Sequence, residues 1–221
     1  MDWSALVVPL CGGPTTPTGF WAAAGVYALL FLALWALFWL LFRNSALASE
    51  DYDPEVPAPS AWALKCAMLV HHLFVGPLSM VAALQDPAII GVYACMGCAA
   101  EAENLLSVVG SVAPPASIQA LMPITAGYMI ADLVLLPSWN LSAGAAAETV
   151  LMVMHHVVSL LVWPLTLFHN YCARYVLILL AYEVSSIFLT VNWLLSNSGR
   201  KKRAIYKVNG LLFTVSFVVV R

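Results

Sequence analysis

Long apolar runs alternate with short polar breaks along most of the chain, and the runs have the length of membrane spans. A helix rises ~1.5 Å per residue, so crossing a hydrocarbon layer takes about 20 apolar residues. By that measure the pattern predicts spans at 20–42, 63–84, 88–109, 117–136, 149–168 and 172–195, with a seventh run beginning near Ile205. The third is the least regular. Its second half, AAEAENLLSVVG, carries Glu101 and Glu103, so arrangements of six and of seven spans both fit. The fold class expected is all-α, a polytopic transmembrane helical bundle.

Three segments follow from the breaks. Residues 1–19 are a polar segment rich in Gly, Pro and Thr, and residues 20–61 hold the first span and an acidic, Pro-rich loop, SEDYDPEVPAPS. Residues 62–221 carry the remaining spans. The first segment lacks a basic n-region, which argues against a cleaved signal peptide and makes the first helix the insertion signal. The last run, NGLLFTVSFVVVR, stops at Arg221 without a polar tail, and the chain is expected to be a fragment.

Composition agrees with the pattern: of 221 residues, 62% are hydrophobic and 9% charged, against roughly 25% charged in soluble domains. A net charge of −2, with no basic face and no Gly-rich phosphate loop, excludes nucleic acid as a partner. Five cysteines are an odd number, most of them in apolar runs, and imply no disulfide framework. Cys95 and Cys98 have CxxC spacing but no second pair, which favours small-residue helix contacts over a metal or redox site.

Charge also sets an expected orientation. Arg200, Lys201, Lys202, Arg203 and Lys207 crowd one short segment, and the positive-inside tendency puts it in the cytosol. With seven spans, parity then makes the N-terminus cytosolic, the 43–62 loop lumenal and the 137–148 loop cytosolic. The sequon at Asn140 is therefore expected to stay unmodified.

Ionisable side chains inside spans are costly when they face lipid, so they point inward and mark candidate sites. His71, His72, Asp132, His155, His156 and Glu183 form such a set, joined by Ser185, Ser186, Asn192 and Asn209. Neighbouring helical residues diverge by about 100°, so within each histidine pair one ring is expected to face the site and the other a neighbouring helix. Ser159 lies three residues after His156, on the same face, where it could orient His156 or share a proton with it. Asp132 and the His155–His156 pair belong to consecutive antiparallel spans and fall within ~5 Å of the same depth.

A neutral imidazole can act as a base or accept an acyl group, while a carboxylate fixes its tautomer. His155 or His156 with Asp132 or Glu183 fits that chemistry. The alternative is that the same groups bond only to hold helices together, each bond contributing about 0.6 to 2 kcal/mol. Metal chemistry is not expected. Membrane di-iron enzymes use several histidine boxes, whereas this chain has five His, with Met152 and Met68 three positions before the pairs and no HExxH.

GYMIADLVLL, MHHVVSLLVWP, EVSSIFLTVNWLL and VNGLLFTVSFVVVR, in this order and spacing, resemble the TLC domain shared by ceramide synthases, translocating-chain-associating membrane proteins and other TLC-domain proteins of lipid homeostasis. The resemblance covers roughly Trp62 to Arg221, making residues 62–221 a TLC domain truncated at its C-terminal end. It implies a multi-pass protein of the endoplasmic reticulum or another endomembrane, with a lipid-facing or polar central cavity that holds a long acyl chain. Asp132, His155, His156 and Glu183 become the candidate catalytic residues. His71, His72, Ser159, Tyr182, Ser185, Ser186 and Asn192 become candidate substrate contacts. Membrane lipids and a long-chain acyl group are the implied partners; acyl-CoA is the possible co-substrate, with no other cofactor and no metal.

The pattern departs from that of ceramide synthases, which carry an Arg-Arg-x-x-Asp element before the histidine pair, Thr three residues after it, and a later His-Asp-x-Ser-Asp. Here the stretches read GAAAETVLMVMHH, Ser159 and YEVSS. The text is closer to members with Glu-x-Ser-Ser-Pro-Phe, with Ile187 in place of the proline. Three functions remain open: binding, sensing or modifying a long-chain acyl lipid; ceramide-synthase-like acyl transfer from acyl-CoA; and non-enzymatic lipid transport or chaperoning.

Overall fold

The computed structural model describes residues 16–44, 58–94, 115–136, 146–169 and 171–220. They form eight helices: α1 (Pro17–Phe42), α2 (Pro59–Gln85), α3 (Pro87–Ala94), α4 (Ala116–Val134), α5 (Ala146–Phe168), α6 (Ala173–Ala181), α7 (Glu183–Asn197) and α8 (Ala204–Val220). α6 and α7 make one span, Ala173–Asn197, interrupted at Tyr182. Counted this way, five helices are long and apolar enough to cross a membrane, and α8 is a shorter apolar helix. The chain is a multi-pass membrane protein. The CxxC pair, Glu101, Glu103 and Asn140 lie outside the described residues.

Local sequence explains the helix ends. Thr16 accepts a hydrogen bond from the Gly19 amide, with Pro17 in the first turn where no amide partner is needed. Gly199 closes α7 with φ +72°, so that its own amide reaches the Ser196 carbonyl and that of Arg200 reaches Leu195. The span therefore stops just before the basic turn.

α4 is the central helix, buried over most of its length, and it packs chiefly on α1 and also on α2 and α5. Gly127 permits the closest approach: a Cβ there would fall 2.6 Å from the Ala24 carbonyl oxygen and 2.8 Å from the Ala28 nitrogen. Phe20, Ala24, Ile118, Leu121, Leu177 and Leu180 fill the interior around it. The outward faces of α1, α5 and α8 carry exposed Leu29, Leu161 and Val215, as a lipid-facing surface requires.

Contacts between rings, and for α4 the electrostatic interaction of its Asp132 with Lys65 near the start of α2, fix the directions of the spanning helices. Phe20, at the start of α1, lies 5.6 Å from Phe168, at the end of α5, while Phe42 lies 6.2 Å from Trp62, at the start of α2. Trp62 in turn lies 5.4 Å from Trp193, near the end of α7. α1, α4 and α6–α7 thus run one way, and α2 and α5 return. Gln85 and Ala116 consequently lie on the same face of the bundle.

This corrects the parity drawn from seven spans; residues 95–109 of the predicted third span lie outside the described residues. Only Pro87–Ala94 of 88–109 is described as helix. The chain leaves for residues 45–57, for residues 137–145 and through the basic turn at 198–203 from one and the same face. The 43–62 loop therefore shares the face of the basic segment instead of opposing it, and Thr16 begins on the opposite face. Hydropathy alone could not reveal this, because an apolar run looks alike whichever way it crosses.

Candidate functional site

Two histidine–carboxylate pairs stand on either side of one tyrosine. His156 of α5 places Nε2 2.7 Å from Oδ2 of Asp132 on α4, and both residues are buried, at 3% and 2% exposure. His72 of α2 places Nδ1 2.9 Å from Oε2 of Glu183 at the start of α7. Between them Tyr128 of α4 lies edge-to-face with both rings, at centroid distances of 6.1 Å to His72 and 6.0 Å to His156.

The backbone explains why these groups meet. Asp132 is four residues after Tyr128, hence on the same face of α4. Glu183 is held where α6 ends and α7 begins, and Gly76 of α2 rests directly on that junction. A Cβ on Gly76 would fall 2.7 Å from the Val184 nitrogen and 2.9 Å from the Glu183 carbonyl carbon. Ser185 turns its hydroxyl back to the Tyr182 carbonyl at 2.9 Å, securing the same corner.

His72, Tyr128, His155, His156, Tyr182, Glu183 and Ser186 line a cavity of about 620 Å³ bounded by α2, α4, α5, α6 and α7. Its remaining wall is mainly apolar, including Met68, Met152, Trp163 and Leu179. Asp132 stands behind His156 and fixes its ring. Asp132 Oδ1 and His156 Nδ1 are buried without a hydrogen-bond partner among the described residues.

The 71/72 pair divides as the 100° rule suggests, with His72 on the cavity and His71 against α4, whereas His155 and His156 both line the cavity. His155 is exposed and reaches the edge of the cavity, whereas His156 is buried. His71 and His72 are both buried and turn to different partners: His71 stacks on Tyr128 at 4.0 Å and its Nε2 lies 3.3 Å from the Thr125 hydroxyl, which in turn donates to the Leu121 carbonyl. His71 borders a second, apolar groove of about 430 Å³ between α1, α2 and α4.

Other expected contacts lie elsewhere. Ser159 is buried but outside the cavity wall, and His156 Nδ1 does not bond to it. Ser185 serves the α6–α7 corner. Asn192 approaches the Tyr206 hydroxyl at 3.5 Å, and Asn209 donates to the Phe188 carbonyl at 2.8 Å; both tie α8 to α7.

Three features escaped the sequence. Lys65 lines the cavity from α2, seven residues before His72, a helical spacing that was available to read. Tyr128 could have been found one turn before Asp132. The buried pair of Arg174 and Asp86, with Nε 2.8 Å from Oδ2, joins positions too far apart in the chain for any local pattern. Asp86 also caps α3 through Oδ1, which accepts from the Ala88 amide at 2.9 Å.

The family model of the TLC domain matches residues 61–221. The chain belongs to the TLC-domain family. Membership makes it a membrane protein of lipid metabolism or homeostasis. No curated protein and no solved structure matches the chain significantly. Every residue that lines the cavity falls inside the matched residues, and α1 supplies the outer support of α4.

Proposed function

We propose that this TLC-domain protein binds a long-chain acyl lipid in the cavity and senses, transfers or modifies it there, in the endoplasmic reticulum or another endomembrane. The observation that carries the reading is the cavity wall itself. Two imidazoles, each beside a carboxylate, converge with Tyr128 on a mainly apolar space of about 620 Å³. A few fixed polar groups in a largely apolar pocket suit a ligand with one polar region and a hydrocarbon body.

Acyl transfer is the second reading, favoured by the contact between His156 and Asp132. In that chemistry His156 takes a proton from the attacking acceptor while the thioester of acyl-CoA opens and its thiolate leaves. Asp132 and Glu183 then orient the two rings. Transport or chaperoning of the same lipid would need the cavity and no covalent step.

Mass spectrometry of the full chain in mild detergent separates these readings, before and after incubation with long-chain acyl-CoA. A co-purified acyl lipid with no adduct or product supports binding, sensing or transfer. An acylated product, or an acyl adduct on His155 or His156, absent from the alanine variants, makes acyl transfer the function. Absence of any lipid removes the cavity reading.

A further inference from the structure

The cavity is graded along its length. At one end Lys65 of α2 meets Trp193 of α7, with Nζ 5.7 Å from the centroid of the indole ring. Lys65 lies six residues into α2 and Trp193 four residues before the end of α7, so this end is ~9 Å below the face that carries the basic turn. His72 and Glu183 follow ~10 Å further in, one helical stretch of seven residues from Lys65. Trp163 and Leu179 line a deeper, apolar part.

Lys65 makes no ion pair among the described residues. Its ammonium reaches the Met68 sulfur at 3.6 Å and the Trp193 ring, neither of them an anion. Glu183 and Asp132 are each engaged by an imidazole. A cation lining a cavity within a membrane span is costly unless an anion meets it. The order from the face inward is therefore a cation, then hydrogen-bonding groups, then hydrocarbon.

Resting on the reading of the cavity as an acyl-lipid site, we propose that its ligand is a lipid phosphate ester with an anionic headgroup. The phosphate oxygens sit on the Lys65 ammonium, the ester groups at the level of His72, Tyr128 and His156, and the chain against Trp163 and Leu179. The three zones follow the sequence of parts in such a lipid. A free fatty acid has no polar group below its head to match the histidines. Arg200, Lys201, Lys202 and Arg203 give the adjacent face a positive potential.

The test is native mass spectrometry of the full chain in mild detergent, with dioleoylphosphatidic acid, dioleoylglycerol and oleate as probes. Wild type is expected to retain the phosphatidic acid about 10-fold over the diacylglycerol, whose tails are identical. Lys65→Met, which keeps the apolar stem, brings that ratio near one without lowering diacylglycerol retention. Lys65→Arg keeps the ratio, since the charge persists. The basic turn is unchanged in all three proteins, so surface attraction cancels from the comparison.

An unchanged ratio in Lys65→Met overturns the proposal and leaves Lys65 as a distant counter-charge to Asp132. Oleate retained as well as phosphatidic acid overturns the phosphate-ester assignment. Equal retention of the two dioleoyl lipids by wild type removes this inference alone, whereas retention of neither removes the acyl-lipid reading as well.

Discussion

Asp132 and His156, 24 residues apart in the chain, touch at 2.7 Å where α4 and α5 run past each other. Each is buried, so the contact both joins the two helices and fixes the ring that lines the cavity. Asp132→Asn retains the shape and removes the charge. The expected outcome is a stability loss of about 1–2 kcal/mol, typical of polar contacts between membrane helices. Lipid retention by native mass spectrometry should fall about 10-fold, as for one lost charge-assisted bond.

The neighbouring histidines should behave unequally. His155 is exposed at the edge of the cavity and His156 is buried in the wall. His156→Ala should reduce lipid retention about 10-fold, whereas His155→Ala should leave it within about twofold. Equal losses in the two variants would refute this assignment.

Gly76 and Gly127 allow a comparison between the site and its support. A methyl group at either meets backbone atoms closer than 3 Å, so Gly76→Ala and Gly127→Ala should each lower stability by about 1–3 kcal/mol. Gly76 alone abuts the Glu183 backbone. Gly76→Ala should therefore also lower lipid retention in the fraction that stays folded, and Gly127→Ala should do so much less. Thermal unfolding in detergent and native mass spectrometry of the same samples make the comparison.

Topology provides an independent prediction. With the basic turn in the cytosol, the connection through residues 137–145 is cytosolic and Asn140 stays unglycosylated. A sequon appended before Thr16 should be glycosylated in a microsomal expression test, because α1 begins on the opposite face. Glycan on Asn140, or none on the appended site, would reverse the orientation.

Much of the bundle was legible in the sequence because membrane spans declare themselves by length and apolarity. The spans expected at 63–84, 117–136 and 149–168 differ from α2, α4 and α5 by a few residues at their ends. The site was partly legible for the same reason: buried ionisable groups stand out in apolar text, which singled out Asp132, His156, His72 and Glu183. The nearness of Asp132 to the His155–His156 pair was legible from depth, but the partner of Glu183 was not. Glu183 belongs to His72 because Gly76 draws α2 onto the α6–α7 corner, a tertiary approach with no periodic signature. The face on which each span begins was not legible either, because hydropathy reports solubility in lipid and is blind to direction of travel.

Asp86 shows how tightly one short side chain can be bound by two duties. Its Oδ1 accepts the Ala88 amide while its Oδ2 accepts Arg174 Nε at 2.8 Å, so the same carboxylate starts α3 and anchors the beginning of α6. A glutamate would preserve the charge, but its extra methylene would spoil the short reach needed to cap a helix two residues ahead. An asparagine could still cap, yet would surrender the charge that holds Arg174. The position thus admits little drift: tolerance to replacement at a membrane boundary can be set less by polarity than by how many separate geometries one residue must satisfy at once.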